Sequence, residues 1–221
     1  MMSFVAIVRS LLRWTRLYPL LNTYRDKIHY RNWIRAGKPV PPPHLAKQLT
    51  VKEFAKRFKP RVFVETGTCR GDMVYAVRDI FDVIYSIELD VELCRNAQKR
   101  FAKQRNVMIF QGDSGETLGE ILASIKRPCL FWLDGHYSAG FTAKGSLETP
   151  IENELRHISG HSLKRSHIVL VDDARCFTGE GDYPSMQSLR DWATNEGFDR
   201  FEVRDDIVRI YNTQTIVSDR I

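Results

Sequence analysis

Val62-Phe63-Val64-Glu65-Thr66-Gly67-Thr68-Cys69-Arg70-Gly71-Asp72 is the stretch from which the rest of the chain can be read. An apolar run stops at an acid, and Gly67 then lets the backbone turn sharply. Gly71 opens a helix at a point where the chain must pass close to whatever lies in the crevice. Taken alone, a Gly-x-x-x-Gly turn also serves as a plain strand-to-helix connection, so its weight depends on what surrounds it.

Outward from that turn the chain alternates. Apolar strands are predicted at 61–65, 82–88, 107–110, 129–133 and 166–171. Helices are predicted from the glycine turn to about residue 81, then at 91–103, 116–125, 151–158 and 183–196. Strands alternating with helices imply an α/β fold, a parallel sheet covered on both faces. Segments 201–204 and 207–211 flank Asp205-Asp206 and read as a closing hairpin that adds an antiparallel edge. The ends of the next two strands strengthen the first. Glu88 follows the glycine turn by about 20 residues, the distance at which a carboxylate accepts hydrogen bonds from ribose hydroxyls. Asp113 and Ser114 follow the third strand, where an acid accepts from an adenine amino group and a hydroxyl touches the ring.

Glu65-Thr66-Gly67-x-x-Arg70-Gly71, the acid after the second strand and Gly112-Asp113 together resemble the S-adenosylmethionine site of class I methyltransferases. The resemblance covers about residues 60–212. It implies the Rossmann-like class I sheet, with the cofactor held by Glu65, Thr66, Gly67, Thr68, Gly71, Glu88, Asp113 and Ser114. The general family favours glycine where this chain has Cys69, a residue expected to line the cofactor loop without reacting. That departure resembles the macrocin O-methyltransferase type, which methylates sugar hydroxyls. A short-chain dehydrogenase would need Tyr-x-x-x-Lys, and none of the eight tyrosines has a lysine four residues on. A Walker loop is excluded because Ala143-Lys144-Gly145-Ser146 has the wrong order.

With the sheet order that the resemblance implies, the fourth and fifth strands are neighbours roughly 4.8 Å apart. Asp134 and the pair Asp172-Asp173 then emerge side by side. Three carboxylates in one cleft repel one another, and a hard divalent cation such as Mg2+ relieves them. The alternative is that Asp134 caps its turn and Asp172-Asp173 caps the next segment. The sugar O-methyltransferases are similar in carrying a base two positions past the metal Asp. This makes His136 the expected proton acceptor, with Asp134 beside it in the reaction, although many relatives have Asp at that place. Loop 135–148, with Tyr137, Phe141 and Lys144, reads as a lid opposite loop 176–183. His157, His161 and His167 are expected at the surface or at strand ends, and Cys129 in the core.

The 221 residues include 33 Lys and Arg against 27 Asp and Glu, but the charge is divided unevenly. Residues 1–61 hold 14 basic and two acidic side chains, a balance of +12, and the remainder carries −6. On a helix Arg9, Arg13 and Arg16 share one face, while Phe4, Ile7, Val8, Leu11, Leu12 and Tyr18 lie mostly away from it. Pro19 ends or kinks that helix, and Tyr24, Arg25, Lys27, Tyr30, Arg31, Trp33 and Arg35 continue the basic-aromatic pattern. Residues 1–35 thus suit peripheral contact with an anionic membrane, docking on the domain or on a second subunit in a homo-oligomer, or nucleic acid, ranked in that order. Val40-Pro41-Pro42-Pro43-His44 reads as a stiff linker, and Thr50 with Glu53 as a capping-box start of a helix through residue 58. The division expected is a basic helical arm and linker at 1–60 and a Rossmann-like domain at 61–221.

No apolar run approaches the roughly 18 residues of a spanning helix, and arginines inside the first apolar stretch argue against a secretory signal. Four cysteines without a C-x-x-C pair indicate neither a disulfide framework nor a zinc ribbon, which suits the cytoplasm, at the inner membrane face if the arm binds lipid. The combined expectation is methyl transfer from S-adenosylmethionine to a hydroxyl of a saccharide or glycolipid. An RNA methyltransferase using the arm, or a non-catalytic protein of the same fold, is the alternative.

Overall fold

The computed structural model describes residues 18–135 and 149–214. The Arg9, Arg13 and Arg16 face, His136 and most of the expected lid, with Tyr137, Phe141 and Lys144, lie outside the described residues. Each apolar run becomes a strand, and those at the sheet centre are buried throughout, as helices on both sides of a parallel sheet require. These are β1 (Val62–Thr66), β4 (Cys129–Leu133) and β5 (Ile168–Val171). β2 (Val83–Glu88) and β3 (Val107–Gln111) extend the parallel sheet on one side. On the other side β7 (Ile207–Tyr211) pairs antiparallel with β5 and with the outermost strand, β6 (Arg200–Arg204). The seven strands run in the order β3-β2-β1-β4-β5-β7-β6.

The pleat sorts the core into two layers. Val62, Val64, Phe131, Leu133, Val169 and Val171 point to one face. They pack there against α5 (Ser114–Ser124), α6 (Ile151–Gly160) and α7 (Met186–Asn195) through Leu118, Leu155, Ile158 and Leu189. Phe63, Leu130, Trp132, Ile168 and Leu170 point to the other face. There they meet α2 (His44–Phe58), α3 (Asp72–Val77) and Phe101 of α4 (Val91–Phe101). α1 (Tyr18–Arg35) lies outside both layers, anchored by the buried Trp33.

Several element ends differ from the sequence expectation for local reasons. α2 starts at His44, six residues before the expected capping box, because Pro43 is already extended at its N-cap. Thr50 is therefore a helix-interior residue, and its hydroxyl donates to the Ala46 carbonyl at 3.2 Å. α3 stops at Val77, and the Asn106 amide then satisfies the carbonyls of Arg78 and Phe81 at 2.8 and 3.0 Å. α5 starts two residues early because Asp113 caps it, accepting from the Gly115 N–H at 2.8 Å.

Candidate active site

Backbone hydrogen bonds tie the loops at the carboxyl ends of the parallel strands to their neighbours. The Gly67 N–H donates to the Ile87 carbonyl at 2.9 Å, and Gly112 N–H to Glu88 at 3.0 Å. Asp134 N–H donates to Thr66 at 3.2 Å, and Asp172 N–H to Leu133 at 3.0 Å. The loops after β1, β3, β4 and β5 are thereby held along one edge, where a doubly wound sheet places its crevice.

The glycine turn lies at its centre. Gly67 has φ +81°, and a Cβ there would overlap the carbonyl oxygen of Asp134. Gly71, at φ +72°, is the N-cap of α3. Glu65 is buried, and its carboxylate accepts from the Ser86 hydroxyl, which is 2.5 Å from the Thr68 hydroxyl. Burial, only partly offset by that Ser86 bond, pushes the Glu65 carboxyl well above the usual range. Thr68 therefore serves a buried network linking β1 to β2. Glu88 takes the N–H groups of Cys69 at 2.6 Å and of Asp90 at 2.9 Å, one on each oxygen. Desolvation raises its pKa against those two bonds.

Ser114 leads to a residue that the sequence reading missed. Its hydroxyl donates at 2.5 Å to Glu154, a buried carboxyl on α6 that is also bonded to the Thr66 hydroxyl. Thr66 Oγ1 in turn accepts from the Asp134 N–H at 3.2 Å. One carboxyl thus joins α6 to the ends of β1 and β4 and to the first turn of α5. Burial is the main cause that lifts its pKa to about 7.

Beyond Asp134 the register Leu133↔Val171 sets the acids side by side. Asp134, Asp172 and Asp173 each bring a carboxylate oxygen within 4.8 Å of the others. Asp172 Oδ2 pairs with Lys47 Nζ, which is also 3.5 Å from Asp173 Oδ1. The other oxygen of Asp172, Oδ1, is buried with no hydrogen-bond partner among the described residues. Burial first, and the Asp134 charge second, drive the Asp172 carboxyl well above the carboxylate range. Burial opposes the Lys47 ammonium, but the three carboxylates outweigh it and raise its pKa. Lys47 and Arg175 each meet part of this acid cluster, and a hard divalent cation takes all-oxygen donor sets of this kind. The orphaned Asp172 oxygen and the donor set fit such an ion. Asp173, held in a left-handed conformation at φ 53°, accepts from Arg175 at 2.8 Å, and Arg175 also binds Asp206.

Lys47 lies 125 residues from Asp172 in the chain, and no local pattern marks it. His44, one turn earlier on α2, is exposed, yet crowding by the surrounding chain lowers its pKa against the attraction of Asp72. His157, His161 and His167 lie elsewhere. His167, at the start of β5, is fully buried, accepts from the Cys129 N–H at 3.0 Å and bonds His161 at 2.8 Å. His157 bonds the Gly115 carbonyl at 2.8 Å. Cys129 is buried in the core, and no helix among the described residues is long and apolar enough to cross a membrane.

No family model matches the sequence, and no curated protein matches it. Solved structures do. A candidate caffeoyl-CoA O-methyltransferase from Staphylococcus aureus superposes with a TM-score of 0.53 at 14% identity, over 87% of this chain and 97% of that one. An O-methyltransferase family protein from Burkholderia thailandensis gives 0.52 at 10% identity, over 76% of this chain and 55% of its own. A candidate O-methyltransferase from Nostoc punctiforme gives 0.51 at 14%, over 75% and 55%. At such identities the likeness is one of architecture, and the architecture is the Rossmann-like fold of these methyltransferases.

Proposed function

We propose that this chain is an S-adenosylmethionine-dependent O-methyltransferase acting on a hydroxyl of a saccharide or glycolipid with help from a divalent cation. The observation that carries the reading is the contact of Gly67 with the Asp134 carbonyl, which sets the glycine turn directly against the acid cluster. A cofactor on that turn and an acceptor at the acids would therefore be neighbours. The names of the structural neighbours support methyl transfer to oxygen.

In this reading Glu88, fixed by two N–H donors, accepts from the ribose hydroxyls, and Asp113 and Ser114 border the adenine. Asp134, Asp172 and Asp173 would hold the cation, which lowers the pKa of a nearby hydroxyl when bound. Lys47 neutralises part of the acid cluster and fixes Asp172 and Asp173 against α2. The acceptor oxygen attacks the sulfonium methyl carbon as the carbon–sulfur bond breaks, giving a methyl ether and S-adenosylhomocysteine. His136, two residues past Asp134 in the sequence, accepts the hydroxyl proton, a contribution typically of about 10²–10⁴-fold. Most of the remaining acceleration is orientation.

Calorimetric titration with S-adenosylmethionine, with and without Mg2+, tests this on the wild type and Asp134→Ala. Both proteins are expected to bind the cofactor, and only the wild type to bind Mg2+ strongly. Absence of cofactor binding by the wild type at any Mg2+ concentration would overturn the proposal.

A further inference from the structure

Among the described residues α1 is held through Trp33 and its neighbours. Trp33 is buried, donates from Nε1 to the Pro39 carbonyl at 2.7 Å, lies tilted against Tyr30 with ring centres 5.7 Å apart and carries the Lys38 ammonium 5.4 Å from its ring centre. At 3.6 residues per turn, Lys27, Arg31 and Arg35 form a row, four residues apart, on the side of the helix turned away from Trp33. Tyr24, Ile28 and Ile34 lie in and beside that row, exposed to 66%, 38% and 44%. Among the described residues, Arg25 is paired with Asp26 at 3.6 Å and Lys38 with Asp205 at 3.1 Å. Lys27, Arg31 and Arg35 make no ion pair there.

We propose that this face of α1 is a docking surface for a bilayer containing anionic phospholipid. Its charge and its side chains select that partner together. Three cations in a row, without an ion pair among the described residues, attract a negative surface, at about fivefold in affinity per cation. Aliphatic Ile28 and Ile34 gain from the acyl boundary of a membrane, and a nucleic-acid backbone offers them nothing comparable. The sequence just before α1 has the same bias: Phe4, Ile7, Val8, Leu11, Leu12, Trp14 and Leu17 alternate with Arg9, Arg13 and Arg16.

The placement gives the surface a consequence. Lys38, just past α1, is bound to Asp205 in the β6–β7 turn, and the Asp206 carbonyl of that turn accepts from Ala174 N–H at 2.8 Å, two residues after Asp172. The α1 end is therefore tied to the same sheet edge as Asp134, Asp172 and Asp173. A bilayer docked on α1 would lie toward the sheet edge that carries the acids. This surface does not depend on the methyl-transfer reading.

The test is co-sedimentation of the full chain with phosphatidylcholine vesicles, with and without phosphatidylglycerol. Binding is expected only with phosphatidylglycerol, and it should weaken steeply as salt shortens the screening length. The Lys27→Gln/Arg31→Gln/Arg35→Gln variant should bind about 100-fold more weakly. Arg25→Gln, which removes a cation lying off that row and paired with Asp26, should weaken binding less than any single substitution in the row. Matching circular dichroism and unfolding midpoints will show that the variants are folded. Three results would overturn the proposal: equal binding to both vesicle types, a triple variant that binds like the wild type, or transfer of the chain from vesicles to single-stranded RNA at equal phosphate concentration.

Discussion

Gly67 bears two demands at once. Its φ of +81° lies where an L side chain is strained, and the Asp134 carbonyl oxygen fills the space that a Cβ would take. Backbone cannot rotate aside as a side-chain end can, so the β1 and β4 connections would have to separate. Gly67→Ala should cost about 3 kcal/mol or more in a urea unfolding experiment. If cofactor occupies this crevice, its affinity should fall further than stability alone explains. A variant as stable as the wild type would show that the turn is not held against Asp134. The glycine itself was legible, because an apolar run, an acid and a Gly-x-x-x-Gly turn have few other uses. Its neighbour was not, since a contact between residues 67 and 134 is a property of strand order and leaves no local trace. Glu154 was invisible for a related reason: on an amphipathic helix an acid normally faces water, and only the packing of α6 on α5 buries this one.

At the scale of elements, α2 does more than link an arm to a domain. Val51, Phe54 and Phe58 pack on the sheet, Phe54 meeting Tyr211 edge-on at 5.2 Å, while Lys47 reaches the acid cluster from the same helix. Removing one partner of a buried ion pair leaves the other charge uncompensated, typically at 3–5 kcal/mol. Lys47→Met should therefore lower stability by about 3 kcal/mol in EDTA. Added Mg2+ should raise the variant's melting temperature more than the wild type's, because the cation takes over the neutralisation that Lys47 provided. Equal Mg2+ responses would mean that Lys47 and the ion do not share the cluster. The parallel strands were readable because burial on both faces writes them as unbroken apolar runs. The start of α2 was misread because Thr50 and Glu53 imitate a capping box, while Pro43, which starts the helix, looks like linker. The three acids could be placed together once strands four and five were neighbours, but Lys47, the counter-ion of Asp172, comes from a helix 125 residues away.

The whole molecule buries charge of both signs, the Arg209 guanidinium on β7 and several carboxyls at one sheet edge. Cations crowd the outer helix, and Glu65, Glu154 and Asp172 lie buried at the sheet edge with their pKa values raised by desolvation. This arrangement sets how global stability varies with pH. Glu154 loses its proton near 4.5 in the unfolded chain and at about 7 in the fold. Below about 4.5 both states hold the proton, and the fold has its full stability. As pH rises toward 7 the unfolded chain releases the proton and the fold retains it, so stability falls, by about 3 kcal/mol once the folded group has also ionised. Glu65 acts in the same direction, whereas His167, which burial holds down at about 3, adds stability as pH rises toward 6.5, so the Glu154 contribution is read from the difference between variant and wild type. Glu154→Gln keeps an acceptor for the Ser114 hydroxyl and has no proton to lose. It should match the wild type near pH 5 and exceed it by up to about 3 kcal/mol at pH 8, measured by urea unfolding across that range. If the two stability curves run parallel instead, the Glu154 carboxyl is already ionised in the fold at pH 5, and the Ser114 and Thr66 hydroxyls are holding a charge rather than a neutral acid.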